Sequence, residues 1–236
     1  MIIAVEGMDG AGKTTISSHI ERKYGFINVE KPCKYLYADE RGVIDYDKFK
    51  RDLKRVYDSD SATRRKYFGE GNKIAVTRFE GADIVLDRHI ASNFYWNHDP
   101  KSRKSFNYFN NLVKECGTPD LTIFLYATPK ERYRRLKKRN PNDVDLKDDT
   151  IFEDGTPEHI DFLRRFNFNY VMIDTNGKTI QEVCREVDHC ISRLMYNKQD
   201  GDSGYAYKIR RGDRKSVRRR AVQKETWCNM RIFVDF

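Results

Sequence analysis

The sequence predicts an α/β fold, a five-stranded parallel sheet flanked by helices. Three observations carry that expectation. Short apolar runs alternate with segments of helical period, from "MIIAVE" at the start to "KTIQEVCREVDHCISRLM" near residue 195. The first apolar run leads directly into "GMDGAGKTT" and then into a helical pattern, so strand, glycine-rich loop and helix follow one another as a unit. With 236 residues, the chain is long enough for one sizeable domain and an appendage.

Taken in order, each element has a local reason. "MIIAVE" is a continuous apolar run, the pattern of a strand buried on both faces. "TTISSHIERKYG" is a helix closed by Gly25. "FINVE" (26–30) is a short second strand, followed by a helix over "DYDKFKRDLKRVYD". "SATRRKYFGEGNKIAVTRFEG" is a longer polar helical stretch with a weak point at Gly69 and Gly71. "ADIVLDRH" is a third strand that runs into charged residues at its carboxyl end. "SRKSFNYFNNLVKECG" is a helix stopped by Gly117, and "DLTIFLYA" a fourth strand. "TPKERYRRLKKRN" opens with a capping Thr128 and with Pro129 in the first turn; "TPEHIDFLRRFN" shows the same Thr-Pro opening. "YVMID" is the fifth strand and "KTIQEVCREVDHCISRLM" the closing helix.

In such a sheet, ligands sit beyond the carboxyl ends of the strands. The residues there are chemically specific. Gly7, Gly12, Lys13 and Thr14 satisfy G-x-x-x-x-G-K-[ST], a pattern expected by chance in roughly one chain in a hundred of this length. Glycine admits the turn conformations that let successive N–H groups curve around a phosphate, which places Gly7, Gly10, Ala11, Gly12 and Thr15 around a nucleotide. Lys13 supplies a compact positive charge and Thr14 a hard hydroxyl ligand for Mg²⁺. Asp87 at the end of "IVL" can hold the same Mg²⁺ through water. Arg88 beside it can grip a second phosphate bidentately.

Composition bounds the rest. No apolar stretch approaches the roughly 20 residues of a membrane helix, and "MIIAVEG" lacks the basic start of a secretory signal, so a cytoplasmic protein is expected. Five scattered cysteines without C-x-x-C read as reduced thiols and argue against a zinc site. The formal charge is +9, and from Lys198 onward 11 basic residues face 5 acidic ones. The expected organisation is a nucleotide-binding domain over 1–197 and a basic extension over 198–236, solvated or bound to nucleic acid.

The chain resembles the thymidylate kinase family of P-loop nucleoside monophosphate kinases. The resemblance rests on "EGMDGAGKTT", "DRHIASNFYWN" and "PDLTIFLYATPKERYRRLKKR", and extends weakly to "VMIDTNGKTIQEV". It implies a P-loop kinase fold and phosphoryl transfer from ATP-Mg²⁺ to a deoxynucleoside monophosphate, dTMP first. Asp9 matches the acidic residue that binds the acceptor sugar. Arg88 would hold the acceptor phosphate. Ser92, Trp96 and Asn97 fall in the second motif, with Trp96 beneath the sugar. Arg135 and Arg139 fall at the spacing of arginines that neutralise the transferring group, and residues 139–155 form the lid. Arg64 matches a base-contacting arginine. Asp60 stands where the family stacks a phenylalanine, with Tyr57 the nearest upstream aromatic. Glu30 stands where it carries arginine after the second strand, leaving Lys31 or Lys34 to supply the charge. His89 reads as a hydrogen-bonded residue behind the site. A homodimer is left open.

Two other functions fit the same residues. One is a kinase of a free deoxynucleoside or of a modified base in DNA, for which the basic extension and the absent stacking phenylalanine leave room. The other is a non-catalytic, ATP-dependent nucleic-acid-binding protein. Activity on nucleosides or DNA, or none on any acceptor, separates them from the first.

Overall fold

The computed structural model describes residues 1–142, 146 and 149–199. Five strands, β1 (Ile2–Glu6), β2 (Ile27–Glu30), β3 (Ile84–Asp87), β4 (Leu121–Tyr126) and β5 (Tyr170–Asp174), form one all-parallel sheet in the order β2-β3-β1-β4-β5. The helices are α1 (Lys13–Tyr24), α2 (Tyr46–Tyr57), α3 (Ser61–Arg78), α4 (Ile90–Asn97), α5 (Arg103–Cys116), α6 (Pro129–Arg139), α7 (Thr156–Arg165) and α8 (Ile180–Gln199). All five expected strands form, within a residue or two of their expected ends.

Strand β1 is central because both its faces are apolar. Ile3 and Val5 enter a core shared with Ile16 and Ile20 of α1 and Val187 and Ile191 of α8. Ala4, between them in sequence, faces a second core with Val29, Ala75 and Leu86. A third cluster joins Ile90 and Phe94 of α4, Phe109 and Leu112 of α5, and Phe162 and Leu163 of α7. The register sets Val5 beside Asp87 and Glu6 beside Phe124, and Glu30 beside Asp87. The ends of β1, β2 and β3 therefore deliver their polar residues to one edge.

Capping residues explain several boundaries. Asp45 accepts the Lys48 N–H at 2.9 Å, Ser102 the Ser105 N–H at 3.1 Å, and Thr128 the Glu131 N–H at 3.4 Å. Asp60 accepts the Thr63 N–H at 2.7 Å, so the residue at the family's stacking position is the N-cap of α3.

Four local expectations are corrected. α3 runs unbroken through Gly69 and Gly71, because close packing requires both: a Cβ on Gly71 would lie 2.7 Å from the Cys33 backbone, and one on Gly69 would overlap the Tyr108 hydroxyl. α7 does not repeat the Thr-Pro opening of α6; its N-cap is Gly155 and Thr156 is already helical. Residues 32–37 form a 3-10 turn where no element is expected, and the helix after "DRH" is α4, over residues 90–97. α8 reaches Gln199, past the expected end of the closing helix at Met195. Residues 200–236 lie outside the described residues, as do five positions of the expected lid. Among the described residues, no helix is long and apolar enough to cross a membrane.

Candidate active site

The glycine loop bridges β1 and α1 at the carboxyl edge of the sheet. Gly7, Gly10 and Gly12 all have positive φ, at 135°, 81° and 109°. Two of them answer to the protein as well as to a ligand. A Cβ on Gly7 would overlap the Leu125 carbonyl of β4, and one on Gly10 would lie 2.9 Å from the Arg132 carbonyl of α6. A Cβ on Gly12 would meet nothing, so there the left-handed conformation at the head of α1 is the requirement. Ala11 is buried in the main core and its N–H donates to the Met8 carbonyl at 3.2 Å.

Around this loop the charged residues interlock. Lys13 is buried and donates to the Met8 carbonyl at 3.0 Å, with Asp9 Oδ1 3.6 Å away. Burial pushes its pKa down to about 8, helped by Arg88 and opposed by Asp9, Asp87 and Glu6. Arg88 Nη2 pairs with Asp9 Oδ1. Burial would raise the Asp9 pKa, but Arg88 and Lys13 outweigh it and hold the carboxyl at about 2. Arg88 has φ 76°, unusual for a non-glycine residue, and its N–H donates to the Val5 carbonyl at 3.0 Å. Thr14 Oγ1 donates to Asp87 Oδ2 at 2.7 Å. A hydroxyl and a carboxylate meeting at the loop are the hard oxygen donors Mg²⁺ takes, so these residues fit the ion. Thr15 is exposed in the first turn of α1.

The remaining expected residues fall into three places. Arg64 and Asn97 meet: Arg64 Nε donates to Asn97 Oδ1 at 3.1 Å, and its Nη1 to the carbonyls of Ser59 (2.6 Å) and Tyr57 (3.3 Å). Asn97 is buried, and its amide donates to Asn93 Oδ1 at 3.0 Å. Trp96 is 39% exposed, with Tyr95 as its ring neighbour at 4.7 Å; it is not a core residue. Ser92 is buried against Glu6 and Arg88. Arg135 joins the loop to the turn after β5: its guanidinium donates to the Ala11 carbonyl (3.3 Å), Thr175 Oγ1 (2.9 Å) and the Thr175 carbonyl (2.5 Å). Arg139 ends α6 and is exposed. The expected hydrogen bonding of His89 is corrected. Its backbone N–H donates to Glu6 at 2.9 Å and its carbonyl accepts from the Asn93 N–H at 3.4 Å, while neither ring nitrogen has a partner among the described residues and the ring packs beside Phe168. Lys34 lies over the Tyr35 ring, and Lys31 is exposed with φ 46°.

Three contributors carry no motif signal. Glu6, fully buried, binds the first turn of α4. Arg132, also fully buried, donates to the Asp9 carbonyl at 3.4 Å and to the Glu153 carbonyl, joining the loop to the end of the expected lid. Asn176 Oδ1 accepts the Thr128 N–H at 2.9 Å and ties the turn after β5 to the head of α6. Arg132 could have been singled out as the one arginine on the apolar side of a basic helix, beside Leu136. Nothing short of the sheet register shows that Glu6 faces α4.

A parallel sheet with this loop at its centre, and an aspartate-arginine pair on the next strand, defines the P-loop nucleotide kinases. The family described as AAA domain matches residues 3–160, and the chain belongs to it. A Thermococcus kodakarensis protein named "Putative adenylate kinase" is 29% identical over 195 residues, spanning 82% of this chain and 86% of its own. A Francisella tularensis subsp. holarctica thymidylate kinase is 29% identical over 206 residues, spanning 78% and 92%. The fold matches a deoxyadenosine kinase from M. mycoides with bound dATP, with TM-score 0.58, 20% identity, and coverage of 81% of this chain and 100% of that one.

Proposed function

We propose that the chain transfers a phosphoryl group from ATP-Mg²⁺ to a deoxynucleoside monophosphate, with dTMP the first candidate among acceptors. The observation that carries this reading is Arg88, turned back by its positive φ onto Asp9 and set across the loop from Lys13. A guanidinium there serves a phosphate other than the one the loop cradles. Relatives named thymidylate kinase support the acceptor; two named "Putative adenylate kinase" keep the base open.

In this reading Thr14 and Asp87 would hold the Mg²⁺ that accompanies ATP, which would supply positive charge against the phosphates. Lys13 exchanges the Met8 carbonyl for phosphate oxygen, and the polyphosphate restores its full charge. Asp9, ionised beside Arg88, accepts a sugar hydroxyl. Arg88 fixes the acceptor phosphate and Trp96 lies under its sugar. Arg135 acts by bracing the loop through Ala11. No residue needs to act as a strong base, because positioning and electrostatics dominate phosphoryl transfer.

Glu30 favours a second reading, a kinase of free deoxynucleosides. It ends β2 beside Asp87, where a carboxylate suits a neutral hydroxyl acceptor better than an anionic phosphate. ATP consumption measured against four deoxynucleoside monophosphates, four deoxynucleosides and DNA, with Lys13→Ala as control, decides between them. Transfer to nucleosides alone overturns the first reading. Both substrates are metabolites of the cytoplasm, where we place the protein. We assign the kinase to residues 1–199 and nucleic acid to the basic extension. Full-length chain should bind single-stranded DNA in a salt-sensitive manner that a chain ending at Gln199 lacks, with kinase activity unchanged.

A further inference from the structure

Glu6 is the last residue of β1, one position before the glycine loop, and its side chain is 1% exposed. A carboxylate so buried is retained only where donors satisfy it. Here all the donors come from one place. Oε1 accepts the N–H groups of His89 (2.9 Å) and Ser92 (3.1 Å), and Oε2 accepts the Ser92 hydroxyl. These N–H groups belong to the N-cap and the third residue of α4, whose own N-cap side chain makes no capping bond. Glu6 is therefore the cap of a helix on a different part of the chain, 83 residues away.

What lies between the two is Arg88. Its backbone is held at φ 76° by the bond to Val5 on one side and by the Glu6 bond to His89 on the other. Its guanidinium is reached as well, since the Ser92 oxygen that donates to Glu6 also accepts from Arg88 Nη1 at 3.4 Å. The Asp9 contact fixes the other terminal nitrogen. Both ends of the guanidinium are thus set by carboxylates on the β1 side, Asp9 directly and Glu6 through a hydroxyl.

We propose that Glu6 is a positioning residue for the acceptor phosphate: it holds the Arg88 turn in its left-handed conformation and, through Ser92, aims the guanidinium. This deepens the kinase reading and rests on Arg88 being the acceptor-side arginine. Glu6 touches no substrate.

Glu6→Gln tests it, because the amide oxygen still accepts both backbone N–H groups while the amide nitrogen reverses the bond to Ser92. The acceptor KM should rise tenfold or more, with ATP affinity measured without acceptor changed less than twofold. Ser92→Ala should move the acceptor KM in the same direction, by about threefold, with ATP affinity unchanged and a somewhat lower melting temperature, because Glu6 Oε2 loses its donor. The double variant should match Glu6→Gln alone, since both act through one path. An unchanged acceptor KM in Glu6→Gln overturns the proposal. So does equal loss of ATP and acceptor affinity with early melting, or additive effects in the double variant. If Glu6→Gln fails to fold, Ser92→Ala decides, and an unchanged acceptor KM there overturns the inference. A wild-type chain that binds ATP but phosphorylates no acceptor overturns the kinase reading itself; an active wild type with an indifferent Glu6→Gln overturns only the role of Glu6.

Discussion

Arg88 and Trp96 are the residues whose neighbours now sharpen their roles. Under the proposed reading Arg88→Ala removes a charged, two-nitrogen contact to an acceptor phosphate, worth roughly 1.5–3 kcal/mol. It also frees Asp9, which lies 3.6 Å from Lys13 and can draw that lysine from the donor. The acceptor KM should therefore rise by tenfold or more and ATP affinity fall by no more than about threefold. Loss of ATP binding with the acceptor KM untouched would reverse the assignment. Trp96 is 39% exposed, and under the proposed reading its indole would crowd a 2′-hydroxyl. Trp96→Ala should raise kcat/KM for a ribonucleotide relative to its deoxy counterpart by about tenfold, equivalent to about 1.4 kcal/mol, with little change in melting temperature. Equal losses on both sugars would remove the discrimination.

At the level of elements, the glycine loop and α3 show the same principle: a glycine can be required by a neighbour the sequence does not reveal. Gly71 reads locally as a helix breaker, yet it sits inside α3 because the 3-10 turn at 32–37 lies against it. Gly71→Ala gains helix propensity of up to about 1 kcal/mol but inserts a methyl 2.7 Å from backbone. Backbone cannot rotate aside as a side chain can, so overpacking of about 1–3 kcal/mol wins. The melting temperature should drop by several degrees, measured by circular dichroism; a rise would mean the turn shifts freely. Residue ranges of helices were legible because caps such as Asp45, Thr128 and Gly25 act locally. The helical start at His89 was not, because its cap is Glu6, remote in sequence.

Across the whole molecule, burial of titratable groups sets a pH response. Burial lowers the pKa of His89 to about 4, against attraction from Glu6. Burial does the same to His159, where the Gly155 carbonyl opposes it and Arg88 and Lys13 assist it. The ordinary value of 6.5 applies to the unfolded chain. Between about 6.5 and 4 the unfolded chain binds protons that the folded one refuses, so stability falls as the pH drops through that window. The slope is about 1.4 kcal/mol per pH unit for each histidine. Asp9, held at about 2 against 3.8 in the unfolded chain, adds to the loss in the same direction below about pH 5. Melting at pH 7 and pH 5 should show the loss, and His159→Phe should reduce it by about half, leaving the share of His89. A melting temperature independent of pH over this range would contradict the burial of both rings.

The sequence by itself determined the sheet, its parallel character, the phosphate loop and the aspartate-arginine pair. Each of these is written in local patterning or in a motif whose spacing is contiguous. Only the tertiary structure decided which side chains meet. It brought Arg64 to Asn97, set Arg135 against the Ala11 carbonyl of the loop, put Asp60 on a helix end, and buried Glu6, Arg132 and His159 around the site. The physical reason is that a strand or helix is chosen by interactions within a few residues. The partner of a buried charge is chosen by whichever distant segment the sheet order carries to the same edge, and β1 lies between β3 and β4 only after the whole chain has folded.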